Sequence, residues 1–101
     1  MTFRKVASVS DFGTARVKRV DADGVSIMVI KLGDEYHALD AICTHEDTDL
    51  SRGIIMGENI TCPLHLSRFS IRTGEVDNPP AEEPLRKYEL KIVDGDIFVD
   101  L

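Results

Sequence analysis

Apolar and polar positions alternate in short runs along this chain, and most runs end at a glycine or an aspartate. Period-two patterning punctuated this way predicts strands. Residues 2–9 read as a first strand, closed by a turn at Asp11-Phe12-Gly13. Residues 14–20 read as a second, with Ala15, Val17 and Arg19 on one face and Arg16, Lys18 and Val20 on the other. Asp21-Ala22-Asp23-Gly24 is a hairpin signal. Residues 25–32 are apolar at nearly every position, which predicts a central strand. After Gly33-Asp34, residues 35–41 form a fourth strand. Short strands follow at 54–56 and 59–61, around Gly57-Glu58, and at 68–71. Residues 76–84 hold three prolines, which lack backbone donors, so this passage is irregular and is no central strand. Residues 85–93 read as one long strand, and 97–101 close the sheet after Asp94-Gly95. There is no repeat, no low-complexity segment and no helical period beyond a turn or two. The pattern predicts an all-β barrel or sandwich.

Length makes this a single domain over residues 1–101, with a core modest enough to benefit from a metal staple. Trp is absent and aromatics are 6%, so the core must rest on Val, Ile and Leu. The formal charge of −6 argues against a nucleic-acid partner, since phosphate contacts need Lys and Arg. It suits approach to a basic patch on another protein, and it also serves plain solubility. The N-terminal residues lack the apolar core of a signal peptide, and no apolar run nears the roughly 20 residues of a membrane span. The expectation is a cytoplasmic chain with no membrane contact.

The chemistry lies in two segments. Cys43-Thr44-His45 is followed, after a sixteen-residue gap, by Cys62-Pro63-Leu64-His65. Both cysteines and two of the three histidines lie there. If both cysteines are ligands, none is left for a disulfide, which fits a reducing compartment. Two thiols and two imidazoles in paired loops point to a metal. Zinc takes such a set tetrahedrally, but structural zinc loops usually present Cys-x-x-Cys or His-x₃₋₅-His, with both ligands on one ion. A single spacer in Cys-x-His suits two metals side by side, the cysteine serving one and the histidine the other. The remaining histidine, His37, reads as a partly exposed strand residue packing its ring.

These segments resemble the Rieske ferredoxins, in which two histidines replace two cysteines on one iron of a [2Fe–2S] cluster. Pro63 fits the family's Cys-Pro-x-His, Leu50-x-x-Gly53 its turn after the first loop, and Phe69, Thr73-Gly74, Pro79-Pro80 and Leu85 its run after the second. The match is good from about residue 35 to 101. The resemblance implies a Rieske (ISP-like) fold: a β base with a small cluster-binding subdomain inserted at about residues 42–76. It implies Cys43, His45, Cys62 and His65 as ligands of one [2Fe–2S] cluster, and residues 76–84 packed against it. Two Fe³⁺, two S²⁻ and two thiolates sum to zero charge, so an incoming electron meets less repulsion than in a four-thiolate cluster. It settles on the iron ligated by histidine. His45 and His65 would reach the surface as entry and exit, with Pro63, Leu64, Leu66, Glu46 and Asp47 around them as docking contacts.

High-potential members place a Ser two residues after the second His and a Tyr two further on, and tie their loops with an extra cysteine pair. Here Ser67 fills the first position. Phe69 takes the second, and Thr48 and Leu64 stand where the pair would be. The expectation is a low to intermediate potential, near the roughly −150 mV end of the Rieske range, with Ser67 lifting it. Leu66 replaces the usual Gly. This and Phe69-Ser70-Ile71-Arg72-Thr73-Gly74 resemble ferredoxins of biphenyl- and toluene-type dioxygenases. The resemblance implies a non-enzymatic carrier that takes electrons from an NAD(P)H-dependent flavin reductase and gives them to a terminal aromatic-ring-hydroxylating oxygenase. The alternatives are the small Rieske subunit of an assimilatory nitrite reductase and a zinc-stabilised β binding module.

Overall fold

The computed structural model describes residues 2–44, 48–63, 67–79 and 81–101. Its strands are β1 (Phe3–Ser8), β2 (Val17–Ala22), β3 (Val25–Leu32), β4 (Glu35–Asp40), β5 (Ile54–Met56), β6 (Asn59–Thr61), β7 (Arg68–Ser70), β8 (Val76–Asn78), β9 (Lys87–Tyr88), β10 (Leu90–Val93) and β11 (Asp96–Asp100). They form three antiparallel sheets, ordered β1-β11-β10, β2-β3-β4-β9 and β5-β6-β7-β8. The fold is all-β, as the alternation predicts. No helix among the described residues is long and apolar enough to cross a membrane.

The continuous apolar run of β3 has a physical reason. Met28, Ile30 and Leu32 point into one core, shared with Leu39, Leu50, Ile60, Phe69, Ile71 and both cysteines. Ile27 and Val29 point the other way, into a second core with Ala7, Phe12, Ala38, Tyr88, Ile97 and Val99. A strand buried on both faces cannot alternate. Ile27, Met28, Val29 and Ile30 are fully buried. At about 1.5–3 kcal/mol for each such side chain, this strand is a large part of the driving force for folding.

Four elements differ from the expectation. The second strand starts at Val17 and runs on to Ala22, because the hairpin turn takes only Asp23 and Gly24, with φ of 53° and 76°. A two-residue turn with both φ positive matches the strand twist, which leaves Asp21 and Ala22 free to pair with Ser26 and Val25. The proline-rich passage begins with a strand, β8, on the edge of its sheet. Val76 still has its donor there and packs into the core. The long final strand is broken at Glu89. Lys87 and Tyr88 pair with β4, whereas Leu90 to Val93 pair with β11 in another sheet. One run of sequence thus serves two sheets. Lastly, Ser70 ends β7, and Ile71 belongs to the turn that follows.

The third sheet carries the second cysteine segment between β6 and β7 and leads through β8 into the prolines. Ile60 and Phe69 are fully buried on its inner face, while Ile54 and Met56 of β5 are 61% and 69% exposed. It covers the face of β3 that carries Met28 and Ile30.

Candidate metal centre

The first cysteine segment grows out of β4. The Ala41 N–H donates to Ser26 O at 2.9 Å, and Leu50 N–H donates to Ala41 O at 2.7 Å. Ile42 and Asp49 form an isolated antiparallel bridge, and the Cys43 N–H donates to Thr48 O at 2.9 Å. The chain therefore leaves and returns at neighbouring points. Asp49 secures the return: its carboxylate accepts from Ser51 N–H at 2.9 Å and from the Ser51 hydroxyl at 2.6 Å. Arg19 Nη1 of β2 lies 3.0 Å from the other carboxylate oxygen. Burial alone would raise the Asp49 pKa, but the Ser51 and Arg19 hydrogen bonds outweigh it and hold the carboxyl below its ordinary range.

The second segment is closed in the same way. The Cys62 N–H, at the end of β6, donates to Ser67 O at 2.7 Å, and β7 starts at the next residue. Each cysteine amide thus bonds the carbonyl five residues on. Gly53 joins the two stems: a Cβ there would collide with the Thr61 carbonyl oxygen and stand 3.0 Å from that of Leu50. Only glycine lets the backbones approach this closely.

The proline-rich passage ties both loops from above. The Thr44 hydroxyl donates to Glu83 O at 2.7 Å, and the Ala81 N–H donates to Ser67 Oγ at 3.0 Å. Ala81 and Leu85 are buried in the core that holds the cysteines. The passage expected to pack against the cluster here contacts the cysteine segments themselves. Ser67 is fully buried. Its oxygen accepts from Ala81, so its own proton remains available to a further acceptor.

Cys43 and Cys62 are 4% and 1% exposed. Ionised thiolates in such a setting are costly unless a metal compensates them. Two buried sulfur donors in twin closed loops fit the thiolate half of a binuclear iron–sulfur donor set. His45 and His65 lie outside the described residues, as do the expected docking residues Leu64, Leu66, Glu46 and Asp47; Pro63 is described and is exposed.

His37 takes no part in the loops. Its Nε2 lies 3.1 Å from Glu35 Oε1 and its Nδ1 2.9 Å from Lys87 Nζ, consistent with a structural role in the base. Sequence reasoning did not find Thr44, Arg19 or Asp49. Asp49-Leu50-Ser51 did carry a turn-capping signal. Thr44 carried none, since a residue between two ligands announces nothing about its own hydroxyl.

A fold of three small sheets, with two buried cysteines at the heads of matching loops, defines a class of metal-binding β domain. Residues 2–89 match the family model of the Rieske [2Fe–2S] domain, and the chain belongs to that family. Its cofactor is a Rieske-type [2Fe–2S] cluster. Within the family the relatives are ferredoxin components, carriers of electrons and not catalytic subunits. The biphenyl dioxygenase ferredoxin subunit of Pseudomonas sp. (strain KKS102) is 35% identical over 99% of this chain and 93% of its own length. The ferredoxin of carbazole 1,9a-dioxygenase from Nocardioides aromaticivorans IC177 has a TM-score of 0.90 at 32% identity, over 98% of this chain and 97% of that one. A complex of reduced oxygenase and oxidized ferredoxin in carbazole 1,9a-dioxygenase contains a chain matching with TM-score 0.89 at 32% identity, over 96% of this chain and 91% of that one.

Proposed function

We propose that Cys43 and Cys62 bind one iron and His45 and His65 the other, in a cluster-binding subdomain of about residues 42–76. The chain then acts in the cytoplasm as a one-electron carrier. It receives electrons from an NAD(P)H-dependent flavin reductase and passes them to a terminal aromatic-ring-hydroxylating oxygenase. The observation that carries this reading is the pair of identical loop closures, each headed by a buried cysteine. A zinc module has no need of loops that each split a cysteine from a histidine by one or two residues. The names of the ferredoxin relatives favour a dioxygenase system over a nitrite reductase.

When bound, the cluster supplies the one-electron redox chemistry. The chain's own residues do the rest. Buried Cys43 and Cys62 keep the sulfur ligands out of water, and the Thr44 and Ser67 contacts hold the covering passage over the loops. Neutral imidazoles at His45 and His65 add no negative charge, which favours uptake of an electron. Pro63 is exposed at the start of the second loop and offers an apolar docking contact. Such carrier contacts are small and transient.

Reconstitution tests the reading. Iron and acid-labile sulfide should each approach two per chain. NADH consumption with a candidate reductase and oxygenase should depend on the chain. Replacing His45 and His65 by cysteine should change the visible absorption and lower the potential. Colourless protein without iron after anaerobic preparation would sink the proposal.

A further inference from the structure

Four side chains close a ring at the end of the third sheet away from the cysteine loops. Arg72 Nη1 donates to Glu35 Oε1 at 2.5 Å, and His37 Nε2 donates to the same oxygen at 3.1 Å. The Lys87 ammonium donates to His37 Nδ1 at 2.9 Å and also to the Arg72 carbonyl, which completes the circuit. Arg72 Nε further reaches Glu58 Oε2 at 3.0 Å, in the β5–β6 turn. Hydrogen bonds from His37 and Arg72 hold the Glu35 carboxyl below its ordinary range. Burial and the Arg72 charge lower the Lys87 pKa, so its ammonium depends on these acceptors.

The ring's position in the chain gives it a role. Arg72 lies two residues before Gly74, and Lys87 two residues after Leu85. Between those points the Leu85 N–H donates to Gly74 O at 2.8 Å, and a Cβ on Gly74 would collide with the Leu85 carbonyl. Further along, Ala81 meets Ser67. Residues 67–74 and 81–87 are therefore laced together at three points: Ser67–Ala81 beside the cysteine loop, Gly74–Leu85 in the middle, and Arg72–Lys87 at the far end. Glu35 and His37 fasten the far end to β4, the strand that delivers the first cysteine loop. Among the described polar contacts, only the Arg72 carbonyl joins the Lys87 side chain to residues 67–74, while the Lys87 backbone pairs with Leu39 of β4.

We propose that Lys87 is a remote positioning residue for the cluster: through the ring it sets the covering passage on Ser67, and so fixes the contacts around both cysteine loops from the opposite end of the sheet. The link to the cluster rests on the function proposed above, while the link to Ser67 does not.

Lys87→Met keeps the aliphatic stem and removes the donor. Native-state amide exchange, followed by mass spectrometry on peptides covering Ala81 and β3, reads the effect. Exchange at Ala81 should rise about tenfold or more through local opening, with Ile27 to Ile30 unchanged. Lys87→Arg, which retains donors, should restore protection. In the iron-loaded protein, chelator-driven iron loss should speed up by a similar factor in Lys87→Met, and the reduction potential should fall, as a loosened Ser67 contact requires. If Ala81 keeps its protection in folded Lys87→Met, the proposal is overturned. The same holds if Ala81 and β3 lose protection together, which would mean general destabilisation. Should Lys87→Met fail to fold, Glu35→Leu removes the oxygen that accepts from both Arg72 and His37, cuts the ring on its other side and must give the same selective pattern, or the proposal falls. If the chain proves to hold no iron, the exchange result still decides the ring's role, and only the cluster reading is lost.

Discussion

Ser67→Ala separates two consequences of one buried hydroxyl. The oxygen accepts the Ala81 N–H at 3.0 Å, and the side chain is fully buried. Removing it leaves that amide without its acceptor, which costs about 1–3 kcal/mol of folding stability. It also removes the one proton that Ser67 can direct toward a sulfur. A hydrogen bond to a charged group is worth about 1.5–3 kcal/mol, against about 0.5–1.5 kcal/mol for a neutral acceptor. Reduction makes the cluster one unit more negative, so the differential stabilisation of the reduced form is about 1 kcal/mol. At 59 mV per factor of ten for one electron, the potential should fall by about 40–50 mV. Redox titration with optical or electron paramagnetic resonance detection measures the shift, and urea unfolding measures the stability. Ser67→Thr, which keeps the hydroxyl, is the control. A variant that loses stability while its potential stays within about 10 mV of the parent would refute the reasoning: the hydroxyl would then serve only the covering passage.

Further tests address the frame around the loops. Gly53→Ala sets a methyl against the Thr61 carbonyl, a backbone atom that cannot yield alone, and should cost about 2–3 kcal/mol in denaturant unfolding. Gly57→Ala, whose Cβ would meet nothing within 4 Å but whose φ is +61°, should cost only about 1 kcal/mol, so comparable losses would refute the close-approach argument. Tyr88 donates to Asp40 Oδ1 at 2.5 Å, and burial together with that carboxylate pushes its pKa up from 10.0 to about 12. A raised folded pKa stabilises fully below the unfolded value and is lost above it, so stability should fall between about pH 10 and 12, and Tyr88→Phe should flatten that fall. The lowered Asp49 pKa works in the opposite sense. Its contribution is present above the ordinary carboxylate range and disappears as pH drops through the lowered value, so Asp49→Asn should weaken the acid dependence of unfolding. Removing iron with a chelator should lower the melting temperature, since metal binding and folding are coupled, and an unchanged melting curve would argue against ligation at Cys43 and Cys62.

Much of this architecture was legible in the chain because its signals are local. β3 announces burial on both faces through six apolar residues out of eight, and β5 and β6 are marked by the Gly57-Glu58 turn between Ile54-Ile55-Met56 and Asn59-Ile60-Thr61. What escaped was decided by distant partners. Leu85 to Val93 alternate as one strand would, and only the competing edges of β4 and β11 divide them at Glu89. Val76 to Asn78 look like the start of a proline loop, yet Phe69 and Arg68 offer them an edge to pair with. The cysteines were evident from spacing. The residues that brace them were not, because Thr44, Arg19 and Asp49 matter through contacts with Glu83 and with one another, across as many as 39 positions of sequence.

The two loops share one closure but have different supports, and this bears on how the site behaves. The first loop has the neutral Thr44–Glu83 contact and a charged tether besides: Arg19 of β2 reaches Asp49 beside it, on an edge strand where salt and pH act. The second loop's own tether is neutral, Ser67 with Ala81 in a fully buried setting where they do not, and the exposed Arg68–Asp77 pair nearby spans β7 and β8 and contributes little. Raising salt or lowering pH should therefore loosen the first loop before the second. Amide exchange at the Cys43 end should respond to salt, and exchange at the Cys62 end should not. If both ends respond alike, the loops are held as one body through Gly53, and the charged tether to Arg19 contributes little of its own.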